Sequence, residues 1–344
     1  MRGRELVQAA LRCEETPQVP RQLWLLPWAV WTYPEEVKAI QRDYPDDIVS
    51  QPRSLPALDR VRGDLYSPGE ATDAWGCTFV NVCAGVMGEV KDPLVKDYRT
   101  DLERVTPPTE WIGEGFDEVN RFCESTDRFV LGGGDMQPFE RMQYLRGSEQ
   151  LFVDLIERPQ GLYTLRDMVH EFNLRALEPW LASGVDGICW SDDWGSQTSL
   201  LVDPAVWREL FKPLYRDYVR AIHEAGKFAF MHSDGHIFAI YEDLIEIGVD
   251  AINSQLFCMD IGELGRRFKG RITFWGEICR QQLLPYGTRE EIHQAVRQVS
   301  DALYDGNGGV IAQCEFSIGS RPENVREVFA AWDQTSGQLW GGPG

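Results

Sequence analysis

The chain has 344 residues, 43% of them hydrophobic, enough to bury the core of one large α/β domain or two smaller ones. A formal net charge of −20 speaks against a nucleic-acid partner, which needs a basic stripe, and against a large polyanionic substrate. No apolar run reaches membrane-spanning length, the start lacks a secretory core, and the eight cysteines show no regular spacing, so a cytoplasmic chain with free thiols is expected.

Residues 1–60 read as irregular, with a short helix at Leu6–Leu11, prolines at 17, 20, 27 and 34, and a first strand at Gln22–Trp28. Residues 61–105 carry hairpin signals (Asp73–Gly76, Thr78–Val82, Gly85–Val90) and predict a small antiparallel insertion. From about residue 112 strands and helices alternate. Helix is expected at 112–124, strand at 128–134 running into Asp135, and helix at 137–156 and 162–183. A strand at 187–190 leads to Ser191, Asp192 and Asp193. Asp203 and Pro204 then open a helix to Ala225 that Pro213 should kink.

The stretch Lys227–His236 is an apolar run that stops abruptly at His232, Asp234 and Gly235. A helix at 237–247 closes on Gly248, and further strands carry Asn253 and Gln255, then Glu277 and Cys279, then Cys314 and Glu315. Thr288–Glu291 and Ser320–Glu323 match the capping box that opens a helix. Such alternation means a mostly parallel sheet, and repeated strand ends bearing polar groups favour a closed (β/α)8 TIM barrel with an N-terminal extension and a small antiparallel insertion. The reading is one domain over 1–344, with the extension, first strand and insertion in 1–110, regular units in 111–333 and a tail at 334–344.

On a closed barrel, residues distant in sequence converge at the C-terminal rim. His232, Asp234 and Cys314 together offer an imidazole, a carboxylate and a thiolate, a set able to bind Zn²⁺ with one position open. The same three also read as a hydrogen-bonded histidine, a turn aspartate and a buried thiol. Asp192 and Asp193 are adjacent, so strand alternation lets one face the barrel mouth, either as acid/base or as the cap of the next segment. Glu277 is a candidate ligand or base, and Asp73 an acid or a turn residue. Tyr144, Asn253, Gln255 and Trp275 are candidate substrate contacts.

Several stretches together resemble the uroporphyrinogen decarboxylase superfamily: Asp203–Pro213, His232–Gly235, Glu246–Asn253, Phe274–Gly276, Tyr286–Thr288 and Pro322–Asn324, within a likeness running from about residue 5 to 333. The resemblance implies a (β/α)8 barrel, often dimeric. Decarboxylases of this superfamily carry an Arg-Gln-Ala-Gly-Arg-Tyr motif for a polycarboxylate porphyrinogen; here Pro20–Pro27 offers Arg21 alone. The other branch looks like zinc-type, corrinoid-dependent methyltransferases, whose His-x-Cys and distant second Cys fall on His232, Asp234 and Cys314. What this implies is methyl transfer between a small methylated compound and a corrinoid carried by a partner protein, or a thiol, assisted by bound zinc. Asp234 stands where that branch has Cys, which gives a harder ligand set. The alternative is a metal-free decarboxylase in which Asp73 or Asp193 stabilises a protonated intermediate.

Overall fold

The computed structural model describes residues 1, 3–133 and 136–340, with side chains as far as residue 335. Asp135, at the end of an expected strand, lies outside the described residues. In chain order the strands are β1 (Arg21–Leu25), β2 (Ile48–Ser50), β3 (Gly69–Thr72), β4 (Thr78–Asn81), β5 (Glu89–Val90), β6 (Phe129–Gly133), β7 (Gly187–Ser191), β8 (Phe228–Ser233), β9 (Ala251–Ser254), β10 (Thr273–Gly276) and β11 (Val310–Phe316). Eight of them form one parallel sheet in the order β1-β11-β10-β9-β8-β7-β6-β2, while β3, β4 and β5 make a separate antiparallel sheet. Helices between successive barrel strands cover the outside, as parallel pairing demands. This is a (β/α)8 barrel with a small antiparallel insertion.

The sheet closes at the β1/β2 seam without a strand ladder. Instead Asp47 N–H donates to Arg21 O (2.9 Å), while the carboxylates of Asp46 and Asp47 accept from Leu23 N (2.6 Å) and Arg21 N (3.0 Å). Two aspartates thus satisfy backbone donors that a neighbouring strand would otherwise meet.

The barrel interior is an apolar plug of Phe129, Leu131, Phe230, Ala251, Trp275 and Ile311. Truncating a ring such as Phe230 to alanine would cost about 3–5 kcal/mol, because a packed interior collapses only partly. Val7 and Leu11 of the helix Arg4–Leu11 join this plug. The N-terminal helix therefore stops the bottom of the barrel and leaves the C-terminal mouth for chemistry. Among the described residues no helix is long and apolar enough to cross a membrane.

Local differences from the sequence reading have identifiable causes. Pro27 ends the expected first strand early and starts the helix Pro27–Thr32, and Pro34 starts a second helix, Pro34–Asp43. Both prolines sit at the first helical positions, where their missing N–H costs nothing. Strand β2 is only three residues long and went unrecognised. The helix expected over 137–156 is two, Pro138–Arg146 and Ser148–Glu157, divided at Gly147. The helix after Asp203 breaks at Phe211 rather than kinking, because Pro213 starts its second half, Lys212–Glu224. Thr288 and Glu291 form the expected capping box. Ser320 does not: its hydroxyl has no partner, and the next helix starts at Pro322.

Candidate active site

Strand alternation decides which rim residues meet. On β11, Ile311 belongs to the inner plug, whereas Ala312, Cys314 and Phe316 belong to the core between sheet and helices. Gln313 and Glu315 therefore point inward and Cys314 outward. On β8, Met231 packs outward and Phe230 inward, so His232 enters the mouth. Gln22 and Trp24 of β1 line the same space as His232 and Trp275.

His232 is tightly oriented. Its Nδ1 lies 2.6 Å from Asn253 Oδ1, and Asn253 donates its own amide to Trp275 O. Asn253 Oδ1 is thus an acceptor, and the network assigns the Nδ1 proton to this bond. Nε2 is left facing Asp193 Oδ1 at 3.5 Å and Asp234 Oδ1 at 3.7 Å. Burial opposes charge on the imidazole, but Asp193, Asp234, the Asn253 bond and Glu315 outweigh it, and the pKa is raised. The Trp24 ring, 5.2 Å away, walls one side.

The loops that bring the two aspartates together rest on glycines. Gly235 has φ +77°, and a Cβ there would meet Gly195 O at 2.2 Å. Only paired glycines let the turn after β8 pack onto the loop after β7. Asp234 N–H then donates to Asp193 Oδ1 at 2.9 Å. Asp192 points the other way. Fully buried, it accepts from Phe139 N (3.0 Å), Glu140 N (2.9 Å) and Tyr215 Oη (2.5 Å), pinning the start of the helix Pro138–Arg146.

Three further groups complete the centre: Glu315, noted in the sequence only as a strand-end residue, and Arg280 and Glu140, which the sequence did not single out. Arg280 reaches Asp234, Glu315 Oε1 (2.7 Å) and Glu277 Oε1 (3.7 Å). Burial pushes the Glu277 carboxyl well above the usual range; Arg280 pulls the other way, and Glu315 and Asp234 add to the rise. Glu140 accepts a 3.3 Å bond from Tyr144 Oη, and burial, then Asp193 and Asp192, push its carboxyl up to about 8. At neutral pH Glu140 is therefore protonated and can donate. Glu315 could have been found by stepping along the strand in twos from Ile311, through Gln313. Arg280 and Glu140 lie in a loop and a helix, where no period ties them to the rim.

The remaining candidates have mixed places. Tyr144 lines a cavity of about 420 Å³ walled by Trp75, Trp111, Trp180 and Phe172. Trp275 lines a smaller one of about 240 Å³ over His232, and Gly133 borders both. Asn253 orients His232, and Gln255 accepts from Gly235 N (3.1 Å), steadying the turn. Asp73 lies away from His232. Its carboxylate accepts from Trp75 N (3.0 Å) and Cys77 N (2.8 Å) and pairs with Arg141. The cations lining the larger cavity are both engaged, Arg141 by Asp73 and Arg53 by the carbonyls of Glu114 (2.9 Å) and Trp111 (2.7 Å).

The expected metal set needs correction. Among the described residues, the group of three ligand types whose donor atoms lie within 4.8 Å of one another is Asp193, His232 and Asp234. Cys314 does not join it, because its side chain faces the helix layer, where burial lifts the thiol pKa far above its normal value. What remains is one nitrogen and two oxygens, with Asp234 already paired to Arg280. A thiolate-bound zinc does not fit these residues.

Comparison with known proteins places this geometry in context. The fold matches a methyltransferase from Methanosarcina mazei with a TM-score of 0.70 and 18% identity, over 95% of this chain and 97% of that one. Uroporphyrinogen decarboxylases from Shewanella halifaxensis and Shewanella pealeana are each 24% identical over 193 residues, 53% of this chain; the match spans about half (48%) of their length. The model of the uroporphyrinogen decarboxylase (URO-D) family matches residues 71–335, well over half of the chain, and the chain belongs to that family.

Proposed function

We propose that the chain is a methyltransferase acting on a small, uncharged, largely apolar methyl donor, with the His232 imidazolium as general acid where relatives of the resembling branch use thiolate-bound zinc. The observation that carries this is the placement of Nε2, locked by Asn253 and held between Asp193 and Asp234, in a small cavity that meets at Gly133 an aromatic cavity whose lining cations are both engaged. Such a cavity suits a neutral aromatic or aliphatic ether, thioether or amine better than a carboxylate. The methyltransferase sharing the fold supports the same reading.

The donor would lie in the aromatic cavity with its heteroatom at Nε2. As a nucleophilic acceptor bonds to the methyl carbon, the carbon–heteroatom bond breaks and its electron pair stays on the heteroatom, which takes the Nε2 proton. Asp193 and Asp234 stabilise the imidazolium beforehand, and the neutral Glu140 carboxyl lies near to restore the proton. Cavities of about 240 and 420 Å³ suit the donor alone, so the acceptor, a thiol or a corrinoid on a partner protein, would approach from outside the mouth.

The test offers guaiacol and dimethyl sulfide with cob(I)alamin or a small thiol as acceptor and follows the methylated acceptor. Activity should survive a zinc chelator and fall about 10²–10⁴-fold in His232→Ala, the usual worth of a positioned acid. Wild-type rates in His232→Ala would refute it. A decarboxylase is the second reading, favoured by the family model and the curated relatives; release of CO₂ from small aromatic acids without methyl transfer would establish it instead.

A further inference from the structure

The cation at the centre of the mouth belongs to the chain itself. Arg280, in the loop after β10, ties together groups from three strand ends: Asp234 after β8, Glu277 after β10 and Glu315 on β11. The Arg280 side chain is only 17% exposed, and Glu277 and Glu315 are 3% and 7% exposed, so this ion cluster is shielded from water. A guanidinium suits the role because its planar fork carries five donors in fixed directions and can serve several carboxylates at once.

Two further observations show where Arg280 stops. Asp234 Oδ1 is buried with no hydrogen-bond partner, while the other oxygen of the same carboxylate is bound by Arg280. That free oxygen, Asp193 and His232 Nε2 form the donor group described above. Glu277 Oε2 is likewise buried and unpartnered beside Arg280.

We infer that Asp193, His232 and Asp234 constitute a divalent-cation site that Arg280 keeps closed: the guanidinium takes half of the Asp234 carboxylate and supplies the positive charge that the surrounding carboxylates need. Arg280 is on this view a positioning residue. It holds Asp234 in place next to His232 and excludes a second cation by repulsion and by competition for a ligand. Asp at 234 and Arg at 280 then form one unit, since an aspartate can pair with the guanidinium in a way that a cysteine cannot. The inference does not depend on methyl transfer, because its readout is metal affinity rather than turnover.

The experiment titrates zinc against a competing chelating dye in wild type, His232→Ala, Arg280→Met and the Arg280→Met/His232→Ala double variant, with circular dichroism as the check of folding. Wild type should bind zinc no better than His232→Ala. Arg280→Met should gain one site per chain, tighter by about tenfold or more, and the double variant should lose it. Stoichiometric zinc in wild type that His232→Ala removes would overturn the inference, as would a folded Arg280→Met that binds zinc no better than wild type. If Arg280→Met does not fold, Arg280→Gln, which removes the charge but keeps a polar side chain, takes its place under the same criteria: a His232-dependent zinc site upholds the inference, and zinc binding no better than wild type overturns it.

Discussion

Replacing Asp46 with Asn tests how the barrel is sealed. Asp46 Oδ1 accepts the Leu23 N–H at 2.6 Å across the β1/β2 seam. Burial pushes its carboxyl up to about 7; the bond to Leu23 and the charge of Arg128 lower it, and Asp47 raises it. The folded state therefore holds the proton more strongly than the unfolded chain, whose aspartates titrate near 3.9. The contribution to stability is full below the unfolded pKa, declines as pH rises, and is lost above the folded pKa near 7. Between about pH 5 and pH 7 the decline is two units at 1.36 kcal/mol each, or about 3 kcal/mol. Asn keeps the accepting oxygen and cannot ionise, so Asp46→Asn should lack this decline. Asp46→Ala leaves the Leu23 N–H without its acceptor and should be less stable than Asp46→Asn by about 1–3 kcal/mol at both ends of the range. Urea midpoints of the three proteins near pH 5 and pH 8.5 provide the measurement. Parallel pH dependence in wild type and Asp46→Asn would refute the assignment of the titrating group.

Two other outcomes follow from the mouth and its surroundings. Cys314→Ser should leave methyl transfer within twofold of wild type but lower stability by about 1–3 kcal/mol, because it buries a hydroxyl among apolar side chains; loss of activity in a folded Cys314→Ser protein would return the thiol to the site. Glu140→Gln keeps the neutral form that Glu140 has below about pH 8. Because an amide cannot return a proton to His232, the variant should turn over more slowly than wild type near neutrality and lack the alkaline step near pH 8, whereas wild-type rates with an unchanged step would assign both the proton and that titration elsewhere.

Much of the architecture was legible in the chain because it depends on local periodicity. Apolar runs leading into polar groups such as Asp193, His232, Asn253, Glu277 and Glu315 marked the strands β6 to β11, and Thr288 with Glu291 marked a helix start. Strand β2 escaped because three residues are too few to show a period, and its place is held by the aspartates before it. The rim residues His232, Asp193, Asp234 and Glu277 stood out because polar groups at the ends of buried strands have few other uses.

The membership of the site was decided by tertiary structure. Whether Cys314 or Glu315 enters the mouth depends on strand phase, and a single-residue step reverses it. Asp192 and Asp193 differ in the same way, one capping a helix and the other facing His232. Arg280 and Glu140 become part of the centre only when the loop after β10 and the helix Pro138–Arg146 fold over the mouth. The residue types and the strand ends were set by the sequence. Which of them share a proton or a cation was set by distances between segments far apart in the chain, which no local pattern encodes.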